Sequence, residues 1–128
     1  MSIVKKVIGI AEKFTEIHEV YRFKKSELQD KDNRERQNEN WAVFEEEQGV
    51  YIFSNKDEVI YIGESGGAVT SKGNVGGRLD DHSIKKQHYW SESTKITILI
   101  PDKDRIFDLE THLRKKCKPK YDHKYGYG

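Results

Sequence analysis

The sequence predicts an α+β fold, an α/β sandwich-like unit in which helices flank a central three-stranded antiparallel sheet, preceded by an N-terminal helical extension. Three observations predict it: a strand–turn–strand pattern over residues 50–62, a third alternating segment over residues 95–100, and helical apolar spacing on either side of them. The 128 residues are 34% hydrophobic and 35% charged, but the apolar ones are grouped, so we expect one compact unit rather than a disordered chain.

Residues 1–48 are predicted to form the helical extension. Their apolar residues recur every three or four positions, which is typical of an amphipathic helix: Ile3, Val7, Ile10, Phe14, Ile17 and Tyr21. Residues 24–40 are almost wholly polar and fit either an exposed helix or a mobile connector. Trp41, Val43 and Phe44 are expected to cover the core. We expect the extension to pack on the core or to mediate self-association.

The hairpin carries two tyrosines with a glycine beside each. Aliphatic residues alternate with mainly aromatic ones, as in a strand with two distinct faces: Val50, Ile52, Ile60 and Ile62 against Tyr51, Phe53, Val59 and Tyr61. A turn over residues 54–58, symmetric about Lys56, would place Tyr51 opposite Tyr61 and send the four aliphatic residues into a core. Gly49 and Gly63 would leave room for a reacting phosphate, although strand aromatics are also common without any function.

Residues 64–77 contain five glycines and are predicted to form a loop. The loop has neither common nucleotide-binding glycine pattern, which disfavours nucleotide binding of those kinds. A helix is expected over about 75–86, with Arg78 and His82 on one face. A guanidinium can grip a phosphate and an imidazole can donate a hydrogen bond or move a proton. Taken alone, the pair favours surface pairing with Glu64, Asp80 or Asp81 instead.

A final helix is predicted from Asp102 or Asp104, either of which can cap it, to about residue 116, with Pro119 ending it. Its apolar stripe includes Glu110. A carboxylate that faces a core costs several kcal/mol unless a cation, a metal or hydrogen bonds compensate, so Glu110 is a candidate site residue. The alternative is that Leu109 makes the core contact while Glu110 lies at its border.

Charge is unevenly distributed along the chain. The net charge is +1 overall, but residues 1–48 carry −2 (9 Lys and Arg against 11 Asp and Glu) and residues 49–128 carry +3 (14 against 11). Six cations stand near the end: Arg114, Lys115, Lys116, Lys118, Lys120 and Lys124. Such a cluster fits contact with phosphates, or a solvated helix end that favours cations.

Cysteine content and hydropathy indicate the compartment. Cys117 is the only cysteine, so the chain has no internal disulfide and no multi-cysteine zinc site, and a reducing compartment is expected. The first apolar run is interrupted early by lysines and no segment approaches membrane length. The sequence therefore predicts a cytoplasmic protein with no membrane partner.

Five elements in this order resemble the GIY-YIG nuclease superfamily: Gly49-Val50-Tyr51, Tyr61-Ile62-Gly63, Arg78-x-x-x-His82, Glu110, and Lys118-Pro119-Lys120-Tyr121-Asp122. The resemblance covers residues 49 to about 122 and implies a catalytic domain over residues 49–128. Val50 replaces the middle Ile of the first triplet, and Asp122 stands where the family often has Asn. The resemblance implies a metal-dependent endonuclease that uses Mg²⁺ or Mn²⁺ and acts on nucleic acid, with DNA preferred and RNA left open.

The resemblance also implies a role for each residue. Tyr51 would activate or hold the attacking water, and Arg78, which would also lower the Tyr51 pKa, would stabilise charge on the phosphate oxygens. The remaining roles are these: Tyr61 and His82 assist with positioning or proton transfer, Glu110 is the metal ligand, Gly49, Gly63 and Asp122 support the site, and Arg114, Lys115, Lys118 and Lys120 contact nucleic acid. The alternative is a catalytically degenerate module that binds nucleic acid or protein.

Overall fold

The computed structural model describes residues 2–28, 39–67, 73–84 and 88–122, with the backbone alone at 39, 80–84 and 88. Within these ranges the helices are α1 (Ile3–Phe14), α2 (Val75–Ile84), α3 (His88–Glu92) and α4 (Ile106–Cys117). The strands are β1 (Ile17–Lys24), β2 (Val50–Ser54), β3 (Val59–Glu64) and β4 (Lys95–Pro101). Short 3₁₀ turns occupy Lys25–Glu27, Glu39–Val43 and Lys103–Arg105. No helix in the described ranges is long and apolar enough to cross a bilayer.

The four strands form one antiparallel sheet in the order β1-β4-β2-β3, so β1 and β3 are the two edges. The predicted α+β class is confirmed, but the predicted three strands were one too few. The helix expected to reach Tyr21 ends at Phe14, and Ile17 to Lys24 pair with β4 instead. A spacing of four residues fits both a helical turn and an alternating strand, which is why Ile17 and Tyr21 were misassigned.

The β2–β3 register differs from the predicted one. Tyr51 pairs with Gly63, and Phe53 pairs with Tyr61, so the prediction that Tyr51 faces Tyr61 directly was wrong. The turn begins at Asn55, whose side-chain oxygen accepts the N–H groups of Asp57 and Glu58, both at 2.9 Å. Because the offset is an even number of residues, the two tyrosines still share a face, with ring centroids 6.3 Å apart.

A bulge next to the turn redirects Ile60. The pairing shifts between Phe53 and Ser54, and Ser54 lies opposite Val59. Ile60 therefore packs with Tyr51 on one side of the sheet, whereas Val59 packs on the other. The predicted placement of these two residues was wrong, because strict alternation cannot anticipate the extra residue of a bulge.

A hydrophobic core lies on each side of the sheet. On the tyrosine side, α2, α3 and the segment before β2 contribute buried side chains to one core: Trp41, Phe44, Leu79 and Trp90 pack with Tyr51, Phe53, Ile96 and Ile98. On the other side α1 and α4 contribute Val7, Ala11, Leu109 and Leu113 against Val50, Ile52, Ile62 and Leu99. Trp41 and Phe44 cover the core as predicted, but Val43 is 52% exposed.

The helix boundaries differ from prediction mainly at α4 and α3. Neither Asp102 nor Asp104 caps α4, which begins at Ile106 after a 3₁₀ turn. Instead the Asp102 carboxylate accepts a 2.6 Å hydrogen bond from the His18 ring. α3 was not predicted, since five residues are too few for a helical period to emerge. Of the polar stretch 24–40, residues 25–27 form a 3₁₀ turn and residues 29–38 lie outside the described ranges.

Candidate active site at the edge of the sheet

The Tyr51 side chain lies against the backbone of edge strand β3. Gly63, its partner in the register, provides the room: a Cβ atom at residue 63 would overlap Cζ and Oη of the Tyr51 ring. Any larger residue would have to displace a side chain that is only 3% exposed. Gly63 thus lets a phenol from the interior strand β2 reach the edge of the sheet.

Gly49 has a comparable steric role at the start of β2. A Cβ atom there would overlap the Leu99 carbonyl oxygen and would lie 2.9 Å from Cδ1 of Ile100. Because glycine has no Cβ atom, the start of β2 can lie close to β4. This close approach fixes the position of the strand that carries Tyr51. Both glycines of the two triplets are therefore required by contacts within the fold.

The Tyr51 phenol is neutral in this environment. Burial raises the pKa of Tyr51 well above its ordinary value, and the nearby Tyr61, Glu110 and Glu64 raise it further. Arg78 lowers the Tyr51 pKa, in the direction expected from the sequence, but burial outweighs it. Burial thus favours the neutral hydroxyl, which can hydrogen-bond to a water molecule.

Tyr61 lies beside Tyr51 and is fixed by a residue that the sequence analysis missed. Its ring stacks on Tyr89 of α3, with centroids 4.4 Å apart and planes 13° apart. Burial raises the pKa of Tyr61 to about 12, with further contributions from Tyr89 and Glu110. Two adjacent aromatic residues in an otherwise polar stretch, Tyr89 and Trp90, were the signal in the sequence that could have predicted this aromatic contact with Tyr61.

Glu110 faces inward on α4, as the apolar stripe predicted. It is 9% exposed and lies between the buried Ile106 and Leu113. Burial raises the pKa of Glu110 from 4.5 to about 7. The cations Arg114 and Arg78 lower this pKa, and the carboxylates Glu64 and Asp122 raise it. Four charged groups are thus close enough to act on one buried carboxylate.

From the sequence, Glu64 was considered only as a surface partner of Arg78 and His82. In the structure it is one of the charged groups that act on Glu110. It ends β3 directly after Gly63, and its carboxylate acts on the pKa values of both Tyr51 and Glu110. Its Oε2 accepts the Gly67 N–H at 3.1 Å, which attaches the start of the glycine-rich loop to the site. Its position at a strand end beside the second triplet was the signal that could have identified it.

Arg114 connects Glu110 to Asp122. Its Nη1 lies 3.9 Å from Oε1 of Glu110, and its Nε donates a 2.8 Å hydrogen bond to Oδ1 of Asp122, which Nη2 also contacts. The Arg114 side chain is 15% exposed, so its guanidinium already has two carboxylate neighbours within the protein. Arg114 thus links Asp122 to Glu110, and the supporting role of Asp122 stays a prediction.

The segment that carries Asp122 is bonded to edge strand β3. The N–H groups of Lys120 and Tyr121 donate to the carbonyls of Val59 and Ile60 at 3.0 and 2.9 Å. The Lys120 ammonium contacts Glu92 Oε1 at 2.5 Å, and the Tyr121 hydroxyl donates to the same carboxylate. Of the other predicted phosphate contacts, Lys115 and Lys118 are exposed. Their contact with nucleic acid stays a prediction.

Arg78 and His82 lie one turn apart on α2, as expected. The Arg78 charge acts on the pKa values of Tyr51, Tyr61 and Glu110, so this helix delivers a cation to the site. The His82 side chain lies outside the described residues, so its role stays a prediction. The structure thus brings together Tyr51, Tyr61, Arg78 and Glu110 from β2, β3, α2 and α4.

Among the solved structures similar to this chain are several of the GIY-YIG N-terminal endonuclease domain of UvrC from Thermotoga maritima. A tyrosine-to-phenylalanine point mutant bound to the catalytic divalent cation is 29% identical with a TM-score of 0.50, covering 69% of this chain and 100% of that domain. The magnesium-bound domain is 30% identical with a TM-score of 0.49, covering 68% and 100%. No protein-family model and no curated protein matches the sequence.

Proposed function

Because the chain belongs to the GIY-YIG nuclease superfamily, we propose that it is a divalent-metal-dependent endonuclease that hydrolyses nucleic-acid phosphodiester bonds, with DNA as the preferred substrate. One observation carries the proposal: two neutral phenols, a guanidinium and a buried carboxylate lie close together at one edge of the sheet. They belong to Tyr51, Tyr61, Arg78 and Glu110. These groups come from four elements that are far apart in the sequence. A purely structural role for the tyrosines would not require the cation and the carboxylate beside them.

The residues present fit Mg²⁺ or Mn²⁺. Both ions prefer oxygen ligands, and Mg²⁺ commonly takes one or two carboxylates while keeping several waters. Glu110 supplies a buried carboxylate whose only cation contact among the described residues is the 3.9 Å approach of Arg114. Glu110 is the proposed protein ligand, with Glu64 and Asp122 as neighbouring negative charges. When bound, the ion would stabilise negative charge on the leaving oxygen.

The chain's own residues would perform the remaining tasks. The Tyr51 hydroxyl would hold the attacking water in line with the phosphorus, since its raised pKa disfavours the phenolate. The Arg78 guanidinium would bind the non-bridging oxygens, whose charge rises in the transition state. Tyr61 and His82 would position the phosphate or move a proton. The surrounding cores keep these groups in fixed positions and exclude bulk water.

Tyr51→Phe is expected to lower the cleavage rate by about 10²- to 10⁴-fold, because it removes only the hydroxyl that would hold the water. The measurement is conversion of supercoiled plasmid to nicked and linear forms with Mg²⁺, Mn²⁺ or EDTA. Arg78→Ala and Glu110→Gln serve as further site variants. Tyr21→Phe is the matched control, since Tyr21 is a partly buried tyrosine on β1, at the far edge of the sheet.

Cleavage that persists in EDTA, or full activity of Tyr51→Phe, would contradict the proposed mechanism. Plasmid binding without cleavage in every metal would instead favour the non-cleaving module. An RNA substrate tested in parallel distinguishes the two nucleic acids. Self-association through residues 1–48 is measured separately, by light scattering.

A further inference from the structure

Two lysines oppose each other directly on neighbouring strands, far from the candidate active site. Lys24 of β1 is the register partner of Lys95 of β4. Directly opposed residues in antiparallel strands have Cβ atoms about 4.5–5.5 Å apart, and like charges in that position destabilise the sheet. Arg22 lies two residues before Lys24, on the same face of β1. Within the described residues none of the three forms an ion pair.

The three cations line a concave surface. A cavity of about 290 Å³ is bordered by Arg22, Lys24 and Lys95 together with Thr97 and a single acidic residue, Glu27. Lys24 and Lys95 also border a second cavity of about 440 Å³. Lys25, at the second cavity, donates to the Trp90 carbonyl at 2.7 Å and is thus held within the fold. The surface therefore has a strong excess of positive charge.

This surface lies at the sheet edge opposite the candidate active site. The order β1-β4-β2-β3 separates β1 from β3 by three strand spacings, roughly 14 Å at about 4.8 Å each, and the register places Lys24 and Lys95 three residues, about 10 Å, along the strands from Tyr51. The separation is therefore about 17 Å, which corresponds to about five nucleotides at about 3.4 Å each. A nucleic acid with one phosphate at β3 would bring others of its phosphates within reach of β1.

We propose that Arg22, Lys24 and Lys95 form a second nucleic-acid contact surface, which binds substrate backbone phosphates several nucleotides from the scissile bond. A polyanion would relieve the repulsion between Lys24 and Lys95, which no ion pair among the described residues offsets and which Glu27 alone faces as a negative charge at this cavity. The contact is to phosphates and therefore adds affinity without sequence preference. The inference rests on the proposed function, because it assumes a nucleic-acid substrate at β3.

The test variant is Lys24→Glu, which replaces a repulsive pair with an attractive one. Its melting temperature is expected to rise by about 2–4 °C. Its Kd for a fluorescein-labelled 30-base-pair duplex, measured in EDTA, is expected to rise about tenfold at 50 mM salt. The slope of log Kd against log salt should fall by about 1. Lys56→Glu, on the exposed hairpin turn, makes the same charge change and is the matched control.

A larger loss of affinity in Lys24→Glu than in Lys56→Glu, with the fold intact, supports the proposal. Equal losses in both variants overturn it, because overall charge alone then explains the effect. Should Lys24→Glu melt below the wild type, Lys24→Gln takes its place, with a smaller but still site-specific loss expected. Duplex binding that depends on Lys24 without any cleavage by the wild type would refute the proposed function alone, whereas a wild type that binds no duplex refutes both.

Discussion

Glu110→Gln is expected to abolish metal-dependent cleavage and, at the same time, to stabilise the metal-free protein above pH 7. Loss of the carboxylate removes the proposed metal ligand, which corresponds to a decrease of about 10³-fold or more in the cleavage rate. The gain in stability follows from burial, which raises the pKa of Glu110 from 4.5 to about 7. Ionisation of Glu110 therefore lowers the free energy of unfolding.

The sign of the pH dependence follows from the raised pKa. The folded state binds the Glu110 proton more tightly than the unfolded state does, so the wild type is most stable below about pH 4.5 with respect to this group and loses stability as the pH rises through about 7. At pH 8 the loss is on the order of 2–3 kcal/mol. Glutamine does not titrate, so Glu110→Gln escapes this loss.

The measurement is thermal unfolding in EDTA at pH 5 and pH 8. The variant should melt above the wild type at pH 8, by roughly 5–10 °C, and close to it at pH 5. Glu12→Gln, at an exposed site on α1, should show no such difference between the two pH values. Equal melting temperatures for wild type and Glu110→Gln at pH 8 would refute the raised pKa. Undiminished cleavage would refute the role as ligand.

Gly63→Ala is expected to destabilise the fold and to inactivate the site through a single methyl group. The added Cβ would overlap the Tyr51 ring, which is buried and has no room to withdraw. Overpacking of this kind costs about 1–3 kcal/mol. Displacement of the Tyr51 hydroxyl by about 1 Å would lower the cleavage rate by about 10²-fold. Plasmid cleavage and urea unfolding measure the two effects.

A double-mutant cycle isolates the cause. In a Tyr51→Ala background the ring is gone, so Gly63→Ala should cost little further stability. Gly9→Ala, in α1, is the matched control: its added Cβ meets nothing within 4 Å, and alanine favours a helix over glycine. An equal cost of Gly63→Ala with and without the Tyr51 ring would show that the clash is not the reason for the glycine.

Local periodicity explains which parts of the fold the sequence could predict. Glu110 was recognised because a helical stripe is a local pattern, and one carboxylate within it is conspicuous. β1 was missed because the four-residue spacing of Ile17 and Tyr21 fits both the period of a helix and that of a strand. The bulge beside Ile60 depends on the Asn55 turn, whose hydrogen bonds are not encoded in the alternation of side chains.

The parts of the site that were missed depend on tertiary contacts. Asp122 and Arg114 were both identified, but for separate roles, since nothing in the sequence indicates that one oxygen of Asp122 accepts from the Arg114 guanidinium. Tyr89 was overlooked because its stacking on Tyr61 joins α3 to β3. Periodicity assigns a residue to a face, whereas such partners are fixed only when elements pack together.

The backbone hydrogen bonds from Lys120 and Tyr121 to β3 also bear on the protein's resistance to aggregation. An edge strand presents unpaired N–H and C=O groups that can recruit a strand from another chain and begin aggregation. Residues 120–121 occupy part of that edge at Val59 and Ile60. The segment that holds Asp122 near Arg114 thus also protects part of edge strand β3 from strand addition. Truncation after α4 would therefore expose the protein to aggregation as well as disturb its site.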